Sequence, residues 1–323
     1  MKRFLFFLTA LLIVLPVGRA SAVSESGALF LLIAPDARST GMGDTGVAFV
    51  QGATAPAWNP SALGFAARPE FTGSYFKWLP FLADDMYFIY VSYIHPIPGI
   101  GTVGISFPFL SLGQQVRTDS DGEDLGTFES YDMAFNVSYG TRLAANLAVG
   151  ANLKIVRSNL SNVGAGAEAG KGVATTFAVD VGATYRLHPR LSVAGVIQNI
   201  GPKITFIDAD QADPQPRNLK VGFAAKLFDG QHNRLMLAYD FNKSLVTSKT
   251  IGSFNESVMN TGVEYWYSNF IALRTGYIFD KGGNIKTPTF GGGLQWKVYR
   301  IDFSYTTSQT LQNITKFSIT AGF

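Results

Sequence analysis

The chain has 323 residues, of which 47% are hydrophobic and 15% charged, and its mean hydropathy of +0.15 suits a membrane protein. It contains no cysteine, which excludes disulfides and thiol chemistry. Three of the 26 basic residues and no acidic residue lie in the first 22 positions, so the remainder carries 23 of each sign. The formal charge of +3 therefore gives no reason to expect nucleic-acid binding.

The first 22 residues have the three-part layout of a secretory signal peptide. Lys2 and Arg3 form a basic start, residues 4–17 are an apolar run, and Ala20-Ser21-Ala22 offers a cleavage site after Ala22. The apolar run is shorter than the ~20 residues of a spanning helix. Beyond it no apolar run approaches that length, so a membrane-embedded chain has to form a closed β-barrel.

Residues 23–69 form a separate segment, because they lack the alternation found later in the chain. Three motifs stand out in it, namely Ala37-Arg38, Gly41-Met42-Gly43 and Trp58-Asn59-Pro60. Glycine permits positive φ and close backbone approach, and Asn-Pro makes a rigid turn. We expect this segment to plug the barrel mouth or to cap its periplasmic end.

The same segment contains the spacing G-x-G-x-x-G from Gly41 to Gly46. This spacing binds a dinucleotide only when it follows a buried strand and opens a helix in a βαβ unit. Here the flanks lead into a barrel, so the sequence predicts no cofactor.

From about residue 70 the chain alternates apolar and polar residues in segments of roughly ten residues, as tilted membrane strands require. In the last one Phe317, Ile319 and Phe323 oppose Lys316 and Ser318. Fourteen such segments predict an all-β, transmembrane antiparallel barrel over residues 70–323: 70–78, 86–94, 100–109, 128–141, 146–158, 173–187, 191–199, 217–228, 234–243, 256–267, 270–280, 288–298, 300–308 and 313–323.

Charges and connections support a membrane barrel over a soluble sandwich or propeller. The strand charges fall on the face opposite the apolar one, which avoids a cost of roughly 2–4 kcal/mol for each charge facing lipid. They are Asp132, Lys154, Asp180, Arg186, Lys220, Lys226, Asp240, Glu264, Arg274, Asp302 and Lys316. Short connections alternate with longer ones such as 110–127, 159–172 and 200–216, and an even strand number places both termini in the periplasm.

The three motifs resemble those of the PorV/PorQ family, within the broader group similar to FadL, the long-chain fatty acid transporter. They match in order and spacing, although Ser61 and Ala62 stand where the family usually has Ala and Gly. The resemblance implies a fourteen-stranded barrel in the outer membrane and a place in type IX protein secretion. Its implied partners are outer-membrane lipid, secreted cargo proteins and other secretion components. The long connections 110–127, 159–172 and 200–216 are the predicted cargo surface, because binding residues concentrate in loops on a rigid scaffold.

A second function, passage of a hydrophobic ligand, has local support. The inner face of the second strand carries Met86, Phe88 and Tyr90, where a water-filled porin would be polar. In the third strand Phe107, Pro108 and Phe109 predict a kink or side opening, because proline cannot donate to the ladder. Alternatively, this Phe-Pro-Phe sequence ends the strand before a loop. A general porin ranks third, because nothing predicts a ring of charges at a constriction.

Catalytic and metal-binding patterns are weak. His95, His188 and His232 fall in predicted periplasmic turns without a partner at ligand spacing. The acidic run 119–124 suggests calcium, but Arg117 and Phe128 occupy the first and last ligand positions of an EF-hand register. We therefore expect a solvated loop and no enzyme.

Overall fold

The structure, a computed structural model, describes residues 26–118, 121–161, 172–206, 212–246, 257–280, 282–283, 285–307 and 313–323. The predicted signal peptide lies outside the described residues, as do parts of the three predicted cargo loops.

Within the described residues, fourteen antiparallel strands close into a barrel, in which β1 pairs with both β2 and β14. The strands are β1 (Glu70–Lys77), β2 (Tyr87–Ile97), β3 (Gly101–Thr118), β4 (Asp124–Ala144), β5 (Leu147–Ser161), β6 (Gly172–His188), β7 (Leu191–Ile200), β8 (Asn218–Asp229), β9 (Asn233–Ser244), β10 (Ser257–Tyr267), β11 (Ile271–Asp280), β12 (Ile285–Trp296), β13 (Tyr299–Thr306) and β14 (Ile314–Gly322). The predicted fold class and strand number are confirmed.

Alternation places an apolar face outward and a polar face in the lumen. Phe135, Leu153 and Ile319 are exposed on the outside, where lipid covers them in a membrane, whereas Lys154 and Asp180 are buried inside. Of the predicted inward charges only Arg186 and Lys226, near one end of the barrel, are less than fully buried.

The two ends of the barrel differ. One end carries both termini of the barrel and the short turns 98–100, 145–146, 189–190, 230–232, 268–270 and 297–298. By the rule for outer-membrane barrels, this end faces the periplasm. His232 lies in one of these turns, but the expectation is wrong in detail for the other two histidines, because β2 continues to Ile97 and includes His95, and β6 ends at His188.

At the outer end, β3 and β4 continue past the neighbouring strands. The expected loop 110–127 is therefore wrong in form: β3 runs to Thr118 and β4 starts at Asp124. Membrane strands need only about 9–11 residues, so these strands, with 18 and 21 residues, project as a hairpin beyond the bilayer. Polar residues such as Gln114 and Gln115 in this projection hid its strand character.

The N-terminal segment lies inside the lumen. It contains two short helices, α1 (Ala37–Thr40) and α2 (Ala55–Trp58), and the 3-10 turns Leu29–Leu32, Gly52–Thr54 and Pro60–Phe65. We call residues 26–69 the plug. None of the helices in the described part of the chain is long and apolar enough to cross a membrane.

The plug contacts all fourteen strands. Its 3-10 turns pack on β1 to β6, and α1 packs on β12 to β14. Hydrogen bonds and close packing reach β7 to β11, through Ser192, Gly222, Asp240, Glu264 and Gly276. The hydrophobic core of the molecule is therefore the boundary between plug and wall, with Met42, Val47, Phe49 and Trp58 in one cluster.

Candidate functional site

The plug is fixed to the wall by a buried ion network that starts at Arg38. Asp36 caps α1 by accepting the Ser39 N–H at 2.9 Å, which directs Arg38 towards β10. Arg38 Nε and Nη2 each donate to one oxygen of Glu264 at 2.8 Å. This two-pronged geometry is the strongest form of carboxylate recognition.

The network continues along the wall. Glu264 also accepts from Arg274 at 2.7 Å, Arg274 pairs with Asp302 at 2.8 Å, and Arg300 pairs with Asp302 at 2.7 Å. Burial alone would lower the pKa of the Arg38 guanidinium, but the Glu264 charge raises it above its ordinary value. Five alternating charges thus compensate one another between plug and wall, which a buried network requires.

The Trp58 motif is tied to the Arg38 motif within the plug. Trp58 Nε1 donates to Asp36 Oδ1 at 2.7 Å, so one carboxylate both caps α1 and holds the tryptophan ring. Asn59 donates to the Val47 carbonyl and to Thr184 of β6, both at 3.2 Å. The motifs, which are about twenty residues apart in sequence, therefore form one folded unit.

Further polar contacts join plug backbone to wall side chains. Asp240 accepts the N–H groups of Gly46 at 2.7 Å and Val47 at 3.0 Å. Lys316 donates to the Ala34 carbonyl at 2.6 Å, and Ser318 accepts the Ala37 N–H at 2.8 Å. These contacts give inward charges and hydroxyls a partner in the plug, as buried polar groups require.

Glycines on the inner wall make room for the plug backbone. A Cβ on Gly276 would overlap the backbone between Met42 and Gly43, and one on Gly150 would lie 2.5 Å from the Pro60 carbonyl. The wall glycines that face the plug at short range include Gly140, Gly150, Gly182, Gly222, Gly262, Gly276, Gly291 and Gly322. Glycine inside a strand often marks close approach of another backbone, so the plug motifs and these glycines form matching surfaces.

The Gly41-Met42-Gly43 turn sits against β10 to β12. Gly43 has φ +73, a conformation that favours glycine, and its N–H donates to Thr289 at 2.8 Å. Gly41 lies against Gly291, and the Met42 side chain is fully buried. The positions of Gly41 and Gly43 therefore allow the plug backbone to pack directly against the barrel wall.

The predicted apolar patch lies at the outer side of the plug. Met86, just before β2, and Phe88 and Tyr90 within β2 are buried. Phe88 and Tyr90 pack with Phe30 of the plug, and the space left beside them has a volume of about 30 Å³. The patch is therefore covered by the plug.

Phe107, Pro108 and Phe109 lie inside an unbroken β3, so the alternative that they end the strand is wrong. Tyr90 pairs with Pro108 in continuous register on the β2 side. On the β4 side pairing passes from Ser106 with Asn136 to Phe109 with Met133, without a change of register there. Phe107 and Pro108 therefore keep their partners in β2 but have none in β4. An opening at this point stays a prediction.

The remaining candidates are the three histidines and the acidic run 119–124, and the described ones among them do not form a common site. His95 Nδ1 lies 3.1 Å from the Tyr93 hydroxyl, and His188 Nδ1 accepts the Arg190 N–H. No group of three metal-ligating side chains occurs among the described residues. Residues 119–120 of the acidic run lie outside them.

Sequence reasoning missed the partners of the motifs. Asp36 and Glu264 looked like ordinary carboxylates, since nothing local shows which charges meet across a lumen. The wall glycines carried a usable signal, because each interrupts the side-chain pattern of a strand at an inward-facing position.

Solved structures with the same architecture include a toluene transporter and a FadL homologue. The chain is similar to the toluene transporter TbuX of Ralstonia pickettii, with 15% identity, a TM-score of 0.58 and coverage of 89% of this chain and 98% of that one. A FadL homologue of Pseudomonas aeruginosa gives 13% identity, a TM-score of 0.55 and coverage of 90% and 98%. At this identity the likeness establishes the fold alone. No curated protein sequence is a significant match.

The fold and the plugged lumen define a FadL-like outer-membrane β-barrel. Residues 19–250 match the sequence model of the type IX secretion system protein PorV. The chain therefore belongs to the PorV family, a family of secretion barrels, as its three motifs suggested.

Proposed function

We propose that this protein is an outer-membrane component of type IX secretion that receives cargo proteins at the cell surface. The observation that carries the proposal is the family match over residues 19–250, which includes the whole plug and the first nine strands. The plug motifs, whose contacts with the wall are described above, are proposed to keep the barrel closed and rigid while it works.

The plug in the lumen supports a docking role over a conducting one. Plug residues touch every strand, and Arg38, Asp240 and Lys316 hold the plug with buried charge-assisted hydrogen bonds. Moving a folded protein through the lumen would require breaking all of these contacts. Cargo is therefore expected to bind to the outer rim.

The projecting β3–β4 hairpin is the described part of that rim. Val116 and Leu125 are 62% and 49% exposed there, beyond the span that lipid covers. Exposed apolar side chains on a rigid hairpin offer anchors for a partner. The outer connections 159–172 and 200–216 complete the proposed surface.

Deleting residues 112–127 with a two-residue turn in their place tests this assignment. The barrel should still insert, because the deleted part lies beyond the membrane strands, but secreted cargo should fall. Shortening the turn 230–232 at the other end is the matched control and should leave secretion unchanged. Normal secretion after removal of all three outer connections would refute the docking role.

Export and processing belong to the same proposal. The signal peptide should be removed after Ala22, which leaves Val23 as the first residue of the outer-membrane form. N-terminal sequencing of the protein from outer membranes tests this, and a start at Met1 would contradict it.

Transport of a hydrophobic small molecule is the second candidate. The solved transporters share the fold, and Phe88, Tyr90 and Pro108 line a space beside the plug, together with Asn136 and Lys154. With about 30 Å³, that space holds no more than a water-sized group unless the plug moves. An uptake assay with a Pro108→Ala variant tests the candidate, and unchanged lipophile uptake would count against it.

A further inference from the structure

The periplasmic mouth of the barrel contains a basic vestibule below the plug. A cavity of about 640 Å³ opens between Phe49 and Gln51 of the plug and the turns 145–146 and 189–190. A second space of about 230 Å³ adjoins it through Phe49, Gln51, Lys226 and Met236. The larger space alone has the size of an ordinary ligand pocket.

The charges that line this vestibule are strongly one-sided. Among the described residues that line it, the cationic side chains are Arg38, Arg186, Arg190, Lys226, Arg234 and Arg300, and the carboxylate is Glu264. Arg38 and Arg300 already belong to the ion network, and Lys226 pairs with Asp229 at 3.1 Å.

Three arginines remain without such compensation. Among the described residues, no carboxylate lies within ion-pair distance of Arg186, Arg190 or Arg234. Arg186 and Arg234 are half-buried, so each loses part of its hydration without gaining a salt bridge, although the charges of Glu264 and Asp229 act on Arg234 from a greater distance. Arg190 is exposed in its turn. These side chains are thus suited to an anion supplied from outside.

Two of the three guanidinium groups are held in place by aromatic rings. The Arg186 guanidinium carbon lies 3.6 Å from the Phe65 ring centroid, and that of Arg234 lies 5.4 Å from the Trp266 ring centroid. Stacking fixes the plane of a guanidinium and leaves its edge free to meet a carboxylate in two-pronged fashion. Less conformational entropy is then lost when a ligand binds.

We propose that this vestibule binds an acidic peptide segment of a periplasmic partner protein. Its charged rim fits carboxylates, while Phe49, Ala224 and Met236 provide an apolar floor for neighbouring side chains. Arg186 and Arg190 line the larger space and Arg234 lines the smaller one, an arrangement that suits an extended chain segment better than a small anion. Lipid is disfavoured, because the vestibule lies inside the barrel and the bilayer contacts its outer wall. The site is independent of cargo docking at the opposite end.

Fluorescence anisotropy on the detergent-solubilised full barrel tests the proposal. The probe is a labelled ten-residue peptide that alternates glutamate with leucine, and a lysine–leucine peptide is its control. The acidic peptide should bind and the basic one should not. Added salt should weaken binding, since exposed charges are screened.

Variants locate the site. Arg186→Gln and Arg234→Gln should each weaken binding about tenfold, the loss expected for one charge-assisted hydrogen bond. Arg190→Glu reverses a charge in an exposed turn, so it should abolish binding without disturbing the fold. Lys286→Gln at the outer end is the matched control and should bind as the unmodified barrel does.

Several results would overturn the proposal. They are equal binding of both peptides, unchanged binding by the Arg190→Glu variant, and full displacement of the peptide by an equal concentration of citrate. The last result would assign the vestibule to a small organic anion. Displacement by phosphatidylglycerol at equal concentration would assign it to lipid and would overturn the proposal as well.

Discussion

Arg38 in the plug and Glu264 in β10 are joined by two hydrogen bonds of 2.8 Å at the boundary between plug and wall. They are 226 residues apart in the chain, so the contact forms only when the barrel has closed around the plug. Arg38 belongs to a family motif, and this pair gives that motif a physical role as the link between plug and wall.

Replacing Arg38 with methionine should loosen the plug. Glu264 keeps Arg274 as a partner, so the cost should lie near the lower end of the range for breaking a buried pair, about 3 kcal/mol. The free energy of unfolding in lipid vesicles and protease cleavage within the plug measure it. Lys77→Met, which removes an exposed pair of 3.7 Å with Asp84, is the control and should change little. Equal effects of both variants would show that the Arg38 pair does not anchor the plug.

A methyl group on Gly276 should displace the plug from β11. The added Cβ would overlap Gly43, and overpacking of this kind costs about 1–3 kcal/mol. Gly292→Ala is the matched control on the neighbouring strand, because its Cβ would meet nothing closer than the Ala272 oxygen at 3.8 Å. Plug cleavage by protease should rise for Gly276→Ala alone. If both variants resist protease as the unmodified barrel does, the close fit of glycine and plug is not required.

Trp58→Phe should weaken the plug itself. Asp36 Oδ1 would lose its 2.7 Å donor inside the barrel, and an unsatisfied buried acceptor costs about 1–3 kcal/mol. Trp296→Phe is the control, since Trp296 is exposed near the periplasmic turns. Urea unfolding followed by tryptophan fluorescence of both variants gives the two free energies, which should differ in this direction. A larger loss for the Trp296 variant would contradict the assignment.

The intact barrel should conduct poorly. Because the plug touches every strand, single-channel current steps in planar bilayers should be absent for the intact protein and present after deletion of residues 26–66. The strands pair with one another along the whole wall, so the deletion should still give a closed barrel. Current steps of the same size in both proteins would mean that the plug leaves a pore open.

The sequence was sufficient to predict the strands. Lipid imposes period-two alternation on every strand, so β6 could be placed within one residue at each end, over residues 172–188. The outer part of β3 was missed, because above the bilayer no lipid enforces an apolar face on residues such as Gln114 and Gln115. The apolar–polar alternation that predicts a strand is therefore lost where the strand leaves the membrane.

Of the contacts between plug and wall, the sequence allowed only the plug motifs to be predicted. Gly41-Met42-Gly43 and Trp58-Asn59-Pro60 marked the plug, but their partners come from strands up to about 250 residues away, and sequence spacing carries no such distance information. The vestibule was hidden for the same reason. Arg186 and Arg234 are separated in sequence, and only barrel closure brings both into one periplasmic mouth.

The most direct test of the account is secretion in a strain of the source bacterium that lacks this gene. The amount of cargo with a C-terminal sorting domain at the cell surface and in the medium is measured, before and after the unmodified gene is restored. The account predicts that such cargo is lost from the surface in the deletion strain and returns on complementation. Undiminished surface cargo in the deletion strain would contradict it.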